Sequence, residues 1–139
     1  AIGLFYHRDS KKTYRVINVR MPDYQNYNVE LAVRKIRGYL SLSGSDYNIL
    51  MGNVNIQPFE KDFAVFEEGE VLNAWDVSAQ RCREQYSTFA EMDPASKVHE
   101  ILDYIFTDHP DIFWVCVDER IANGFFLSSH HPVFMIIRQ

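Results

Sequence analysis

Three apolar runs close the chain, "IFWVCV", "GFFLS" and "VFMIIR", each rich in aromatic and β-branched residues and each bounded by turn-forming residues. Asn123-Gly124 precedes the second run, and "SSHHP" separates the second from the third. Short runs of this composition, punctuated in this way, specify strands joined by tight connections. The chain opens in the same manner. "GLFYH" and "TYRVINVR" flank the polar "RDSKK", and the second run alternates side chains with period two, so a hairpin is expected.

Between these ends the period changes. From Asn28, residues Val29, Val33, Ile36 and Leu40 recur at helical spacing, Asn28 is a suitable N-cap, and Gly44 is placed to end the segment. A second helix is expected over 77–90, where Ala79, Cys82, Tyr86 and Phe89 share a face. A third is expected from Asp93-Pro94 to Pro110, with Val98, Ile101, Leu102 and Ile105 as its buried stripe. "YNILMGNVNI" suggests two short strands around Gly52-Asn53, and "FAVF" and "VLNAW" suggest a hairpin across "EEGE" with Gly69 in the turn. The order predicts one α+β domain over residues 1–139, a mainly antiparallel sheet with two or three helices packed on one face.

Ten Phe, eight Tyr and two Trp supply a core and exclude a disordered chain. Cys82 and Cys116 lie in no zinc-ligand or redox spacing, and Cys116 inside "FWVCV" reads as a small buried hydrophobe, which favours a reducing compartment. No run is long enough to cross a bilayer and no charged-then-apolar leader opens the sequence, so the expectation is a cytoplasmic protein without a membrane partner.

Charge is divided unevenly. Residues 1–40 carry eight Lys/Arg and three Asp/Glu, and the remainder six and sixteen, for a formal net charge of −5. The acidic portion suggests steering of a basic protein partner. That motivates the first functional expectation, a small inhibitor of the immunity or antitoxin type that blocks a basic partner such as a nuclease toxin. Glu67, Glu68, Glu70 and Asp76 would be its contacts, with Tyr47 or Trp75 as aromatic anchors. The basic third, with Arg8, Lys11 and Lys12 on a loop and Arg34, Lys35 and Arg37 on a helix near Tyr6, Tyr14 and Tyr39, suggests RNA binding. A pI of 5.5 and the lack of an RNA-binding motif rank that third.

The second expectation is a small hydrolase or transferase. In "HEILD", a helix would project His99 and Asp103 from one face with Glu100 beside them, resembling HExxH only in part, since the second histidine is replaced and no third ligand follows. No metal and no cofactor is expected. Glycine-rich phosphate loops and nucleophile elbows are missing from the sequence, and "HRD" at 7–9 stands without the other kinase elements. "DHPD" and "VDER" read as polar turns. Consecutive strand residues face opposite ways, so His130 and His131 cannot both enter one site from a regular strand. With Pro132 next, the stretch reads as the turn of a last hairpin, and one histidine remains a catalytic candidate because imidazole titrates near neutrality.

Overall fold

The computed structural model describes residues 1–22, 28–68, 71–83 and 86–138, with the side chain of Glu67 left aside. Its strands are β1 (Ile2–His7), β2 (Lys12–Arg20), β3 (Tyr47–Asn53), β4 (Leu72–Asn73), β5 (Gln80–Arg81) and β6 (Phe89–Ala90), followed by β7 (His99–Glu100), β8 (Asp103–Thr107), β9 (Ile112–Val117), β10 (Ile121–Ala122), β11 (Phe125–Phe126) and β12 (Val133–Ile137). Helix α1 spans Val29–Leu40, α2 only Ala74–Val77, and a 3-10 turn covers Phe63–Glu67.

Five strands form a mixed sheet in the order β1-β2-β3-β8-β4, and three form a second sheet, β12-β9-β5. The opening hairpin forms as the alternation predicts, Ile2 opposite Ile17. β2 then pairs with β3 in parallel, so α1 is a crossover between them. Asn28 Oδ1 accepts from Leu31 N at 2.8 Å to cap α1, and Gly44 takes φ +97° in the exit loop. Alternation along the strands divides the core in two. Ile17, Leu50, Tyr104 and Phe106 face α1 and the 3-10 turn, packing with Val33 and Phe66. Val16, Ile49 and Ile105 face the second sheet, packing with Val115, Val117 and Met135. The layers are helix, sheet, sheet.

The expected α+β arrangement, with two or three helices on one face of one antiparallel sheet, is therefore corrected. The chain is mostly strand, in several small sheets, and α1 is its one helix of more than a turn among the described residues. The third expected helix is instead β7 and β8. β8 lies between β3 and β4 with apolar layers on both faces, so Tyr104, Ile105 and Phe106 are all buried. A strand buried on both faces reads as a continuous apolar run, which fits helical spacing equally well. Asp93-Pro94 starts a turn, Ala95 N donating to Asp93 Oδ1 at 2.8 Å.

Among the described residues of 77–90 only Val77, the end of α2, is helical. Ala79 N donates to Ile112 O at 2.8 Å, β5 pairs in parallel with β9, and Cys82 is disulfide-bonded to Cys116. Non-local pairing overrides the local helical spacing. Cys116, read as a small buried hydrophobe, is thus half of a cross-link. "YNILMGN" is one strand running through Gly52, and "FAVF" is the 3-10 turn, so no hairpin spans "EEGE". Gly69 and Glu70 lie outside the described residues. At the C-terminus, Asn123 and Gly124 both take positive φ and join β10 to β11, but β12 pairs with β9, not β11. The expected last hairpin is a loop that carries residues 128–132 from one sheet to another.

Candidate active site

Strand parity builds the site. Along β2, Tyr14, Val16, Asn18 and Arg20 share the face turned toward the second sheet. Register sets them beside Tyr47, Ile49, Met51 and Asn53 of β3, and β8 adds Ile105 opposite Met51 and Asp103 opposite Asn53. The apolar members of these rows are core. The polar ones gather at one end, where the second sheet no longer covers the first. There a cleft of about 580 Å³ opens between the sheets, with Asn18, Met51 and Asp103 on one side and His130, Val133 and Met135 on the other.

The 128–132 loop supplies the histidine. His130 Nδ1 lies 2.8 Å from Asp103 Oδ2, with side-chain exposures of 41% and 17%. Asn53 Nδ2 lies 3.4 Å from the same ring nitrogen, and its Oδ1 is buried without a hydrogen bond from the described residues. Phe89 packs against the imidazole edge-on at 4.9 Å, and its backbone bridges that of His130. With Nδ1–H donating to Asp103, Nε2 keeps its lone pair for chemistry in the cleft. His131 is buried, meets Phe126 at 4.6 Å, and burial holds its pKa below the ordinary histidine value.

Two further residues hold this geometry. Thr88 is fully buried; its Oγ1 accepts from Leu102 N at 2.8 Å and Asp103 N at 2.9 Å, and its carbonyl accepts from His131 N at 2.8 Å. One residue thus ties the strand bearing Asp103 to the loop bearing His130. Gly52 has φ +125°, and a Cβ there would stand 2.1 Å from Val19 O and 2.9 Å from Asn18 Oδ1. Only glycine lets β2 approach this closely beside Asn18. Neither Thr88 nor Gly52 carried a signal in the sequence beyond a polar residue in an apolar stretch and a turn-forming glycine.

The other candidates disperse. His99 is exposed on β7 opposite Ala90, and Glu100 pairs with Phe89, its carbonyl accepting from Thr88 N at 2.9 Å. The helix that would have set His99 one turn from Asp103 does not form. Among the described residues no group of three or more His, Cys, Asp or Glu stands where it could hold a metal ion. Glu68 is held by Arg37 at 2.8 Å and Arg34 at 3.5 Å, so cations and anions expected on separate surfaces neutralise each other. Asp76 Oδ2 accepts from Asn73 Nδ2 at 3.0 Å. Trp75 is buried and stacked on Tyr86 at 3.7 Å, and Tyr47 packs against His109 at 4.4 Å. Lys12 pairs with Asp46 at 3.0 Å.

No protein-family model matches this sequence, and no curated protein does. Solved structures do. A conserved protein of unknown function from Enterococcus faecalis superposes with a TM-score of 0.82 at 18% identity, over 99% of this chain and 54% of its own. An endonuclease/exonuclease/phosphatase family protein from Bacteroides thetaiotaomicron gives 0.76 at 18% identity, over 95% and 53%. A mannosyl-6-phosphatase from the same organism gives 0.77 at 17% identity, over 98% and 56%. The chain spans about half the length of these structures. At such identities the likeness is one of fold, the fold of endonuclease/exonuclease/phosphatase proteins. It overturns the immunity or antitoxin-type inhibitor reading, which rested on charge alone, and the small-enzyme alternative suits it better. No helix among the described residues is long and apolar enough to cross a membrane.

Proposed function

We propose that this chain carries a hydrolytic site for phosphate esters, with His130 as the proton-transferring group and Asp103 as its orienting partner. The observation that carries the reading is the 2.8 Å His130–Asp103 pair at the mouth of the inter-sheet cleft. Phosphate esters are the substrate class because structures sharing the fold include phosphatases, in particular a mannosyl-6-phosphatase. In the reaction, His130 Nε2 accepts a proton from a water molecule as its oxygen bonds to phosphorus. The ester oxygen leaves with the bonding pair and is protonated by solvent. Asp103 stabilises the imidazolium that forms, and Asn18 and Asn53 offer neutral amide donors beside it.

The test is hydrolysis of a chromogenic phosphate ester by the purified protein. His130→Ala is expected to lower kcat at least a hundredfold and Asp103→Asn by a similar factor, the range usual for loss of a positioned acid–base group. Equal rates in wild type and His130→Ala would end this reading. For the compartment, the Cys82–Cys116 bond fits an oxidising environment better than the reducing cytoplasm first expected.

A further inference from the structure

The "TYRVINVR" strand ends in a cation that the His130–Asp103 pair leaves unused. Arg20 is the last residue of β2, on the same face as Asn18, and in parallel register with Asn53, which is itself opposite Asp103. One row across the open end of the sheet therefore reads Arg20, Asn53, Asp103. Adjacent strands stand about 4.8 Å apart, which puts the Arg20 and Asp103 backbones roughly 10 Å from each other. The guanidinium is exposed and makes no ion pair or hydrogen bond with the described residues. Four of its seven fellow cations in the basic third behave otherwise. Arg15 is buried on backbone carbonyls, and Lys12, Arg34 and Arg37 each meet a carboxylate. The side chains of Arg8, Lys11 and Lys35 are exposed and, like that of Arg20, make no ion pair or hydrogen bond with the described residues.

We propose that Arg20 anchors the terminal phosphate of the substrate and makes the site selective for monoesters over diesters. The proposal deepens the hydrolase reading, but anion binding at Arg20 stands apart from turnover. A guanidinium presents parallel N–H donors that match two oxygens of one phosphate, and it stays charged at every working pH. A monoester has three terminal oxygens, so two can be held by Arg20 while the third takes the Asn53 or Asn18 amide. A diester has only two non-bridging oxygens and cannot satisfy the fork and the amides together. Its single charge also gains less from the cation. In-line attack by the water that His130 deprotonates requires the ester oxygen of a phosphate held there to point away from His130.

The experiment is titration of the isotope-labelled protein with inorganic phosphate and, separately, with dimethyl phosphate, followed by amide NMR shifts around Asn18, Asn53 and His130. Wild type is expected to bind phosphate at least tenfold more tightly than dimethyl phosphate. Arg20→Gln should weaken phosphate at least tenfold, Arg20→Lys should fall between, and His130→Ala should retain most of the affinity. Because Arg20 is exposed, the variant spectrum away from the site serves as the check on folding. Phosphate binding that is undetectable in wild type or unchanged in Arg20→Gln overturns the proposal, and equal affinity for the diester overturns its selectivity. If phosphate binds through Arg20 while wild type hydrolyses no ester, the anion site stands and the hydrolase reading falls.

Discussion

Thr88 shows how much of the site depends on a group that touches no substrate. Its hydroxyl oxygen receives two backbone amides, from Leu102 and Asp103, in a fully buried position. Valine has the same shape and no acceptor, so Thr88→Val strands both donors. Each buried unsatisfied donor costs about 1–3 kcal/mol, and a loss of about 2–4 kcal/mol in a urea unfolding experiment is expected, with Thr88→Ser recovering most of it. Because the freed segment holds Asp103, the His130 imidazole NMR signals should also change in Thr88→Val. An unchanged imidazole spectrum would limit Thr88 to stability. Arg15 acts in a comparable way on the other side of the sheet. Its guanidinium donates to Leu42 O at 2.6 Å and Ser43 O at 2.7 Å, and to Asn48 Oδ1 at 2.9 Å, fastening the exit of α1 to the strands. In the sequence it was one arginine among eight cations.

At the scale of elements, the short strands are the informative ones. β5 has two residues, too few for its ladder to hold it against β9 unaided, and the Cys82–Cys116 bond fastens it there. The link closes a loop with a separation of 34 residues. Chain-entropy reasoning gives a cross-link of that span about 3–4 kcal/mol of stability. Cys82→Ser/Cys116→Ser is expected to lower the unfolding free energy by about that amount under oxidising conditions. Added reductant should bring wild type to the same value and leave the double variant unmoved. α1 and the β1–β2 hairpin were legible beforehand because their signals are local: a cap, a 3.6-residue stripe, a period-two alternation. β8 was not, since a strand covered on both faces loses the alternation that marks a strand. The 77–90 segment was not, since residues 79–82 are held by β9, more than thirty positions away, and Phe89–Ala90 by β7.

For the whole molecule, pH is the simplest probe of how the two sheets pack. His109 and His131 are both buried, and burial holds both pKa values below the ordinary 6.5. The native state therefore resists protonation that the unfolded chain accepts. Each histidine contributes stability that is fully present above about pH 6.5 and is lost as the pH falls below it toward the depressed folded value. Urea midpoints measured between pH 7.5 and 5.5 should decline with acid, and His131→Phe should flatten part of that slope. A slope unaltered in both His109→Phe and His131→Phe would show that neither ring is neutral and buried in solution.

The candidate site divides along the same line. That His130 and His131 cannot both enter one site from a regular strand was readable from strand alternation, but they sit on a loop between sheets and both line the cleft. The strand character of β1, β9 and β12 was written in local composition and bounding turns. That of β2, like the capped helix, was written in local periodicity, because a half-buried element repeats its burial in its own sequence. Which histidine meets Asp103 was not, nor that Asn18, Asn53 and Arg20 line up beside them. Those positions are separated by up to 112 residues and are brought together by the parallel crossover at α1, the register of β3 with β8, and a loop passing between sheets. Local free energies choose an element's period. The register between distant strands, and with it the site, is set when their apolar faces are buried together.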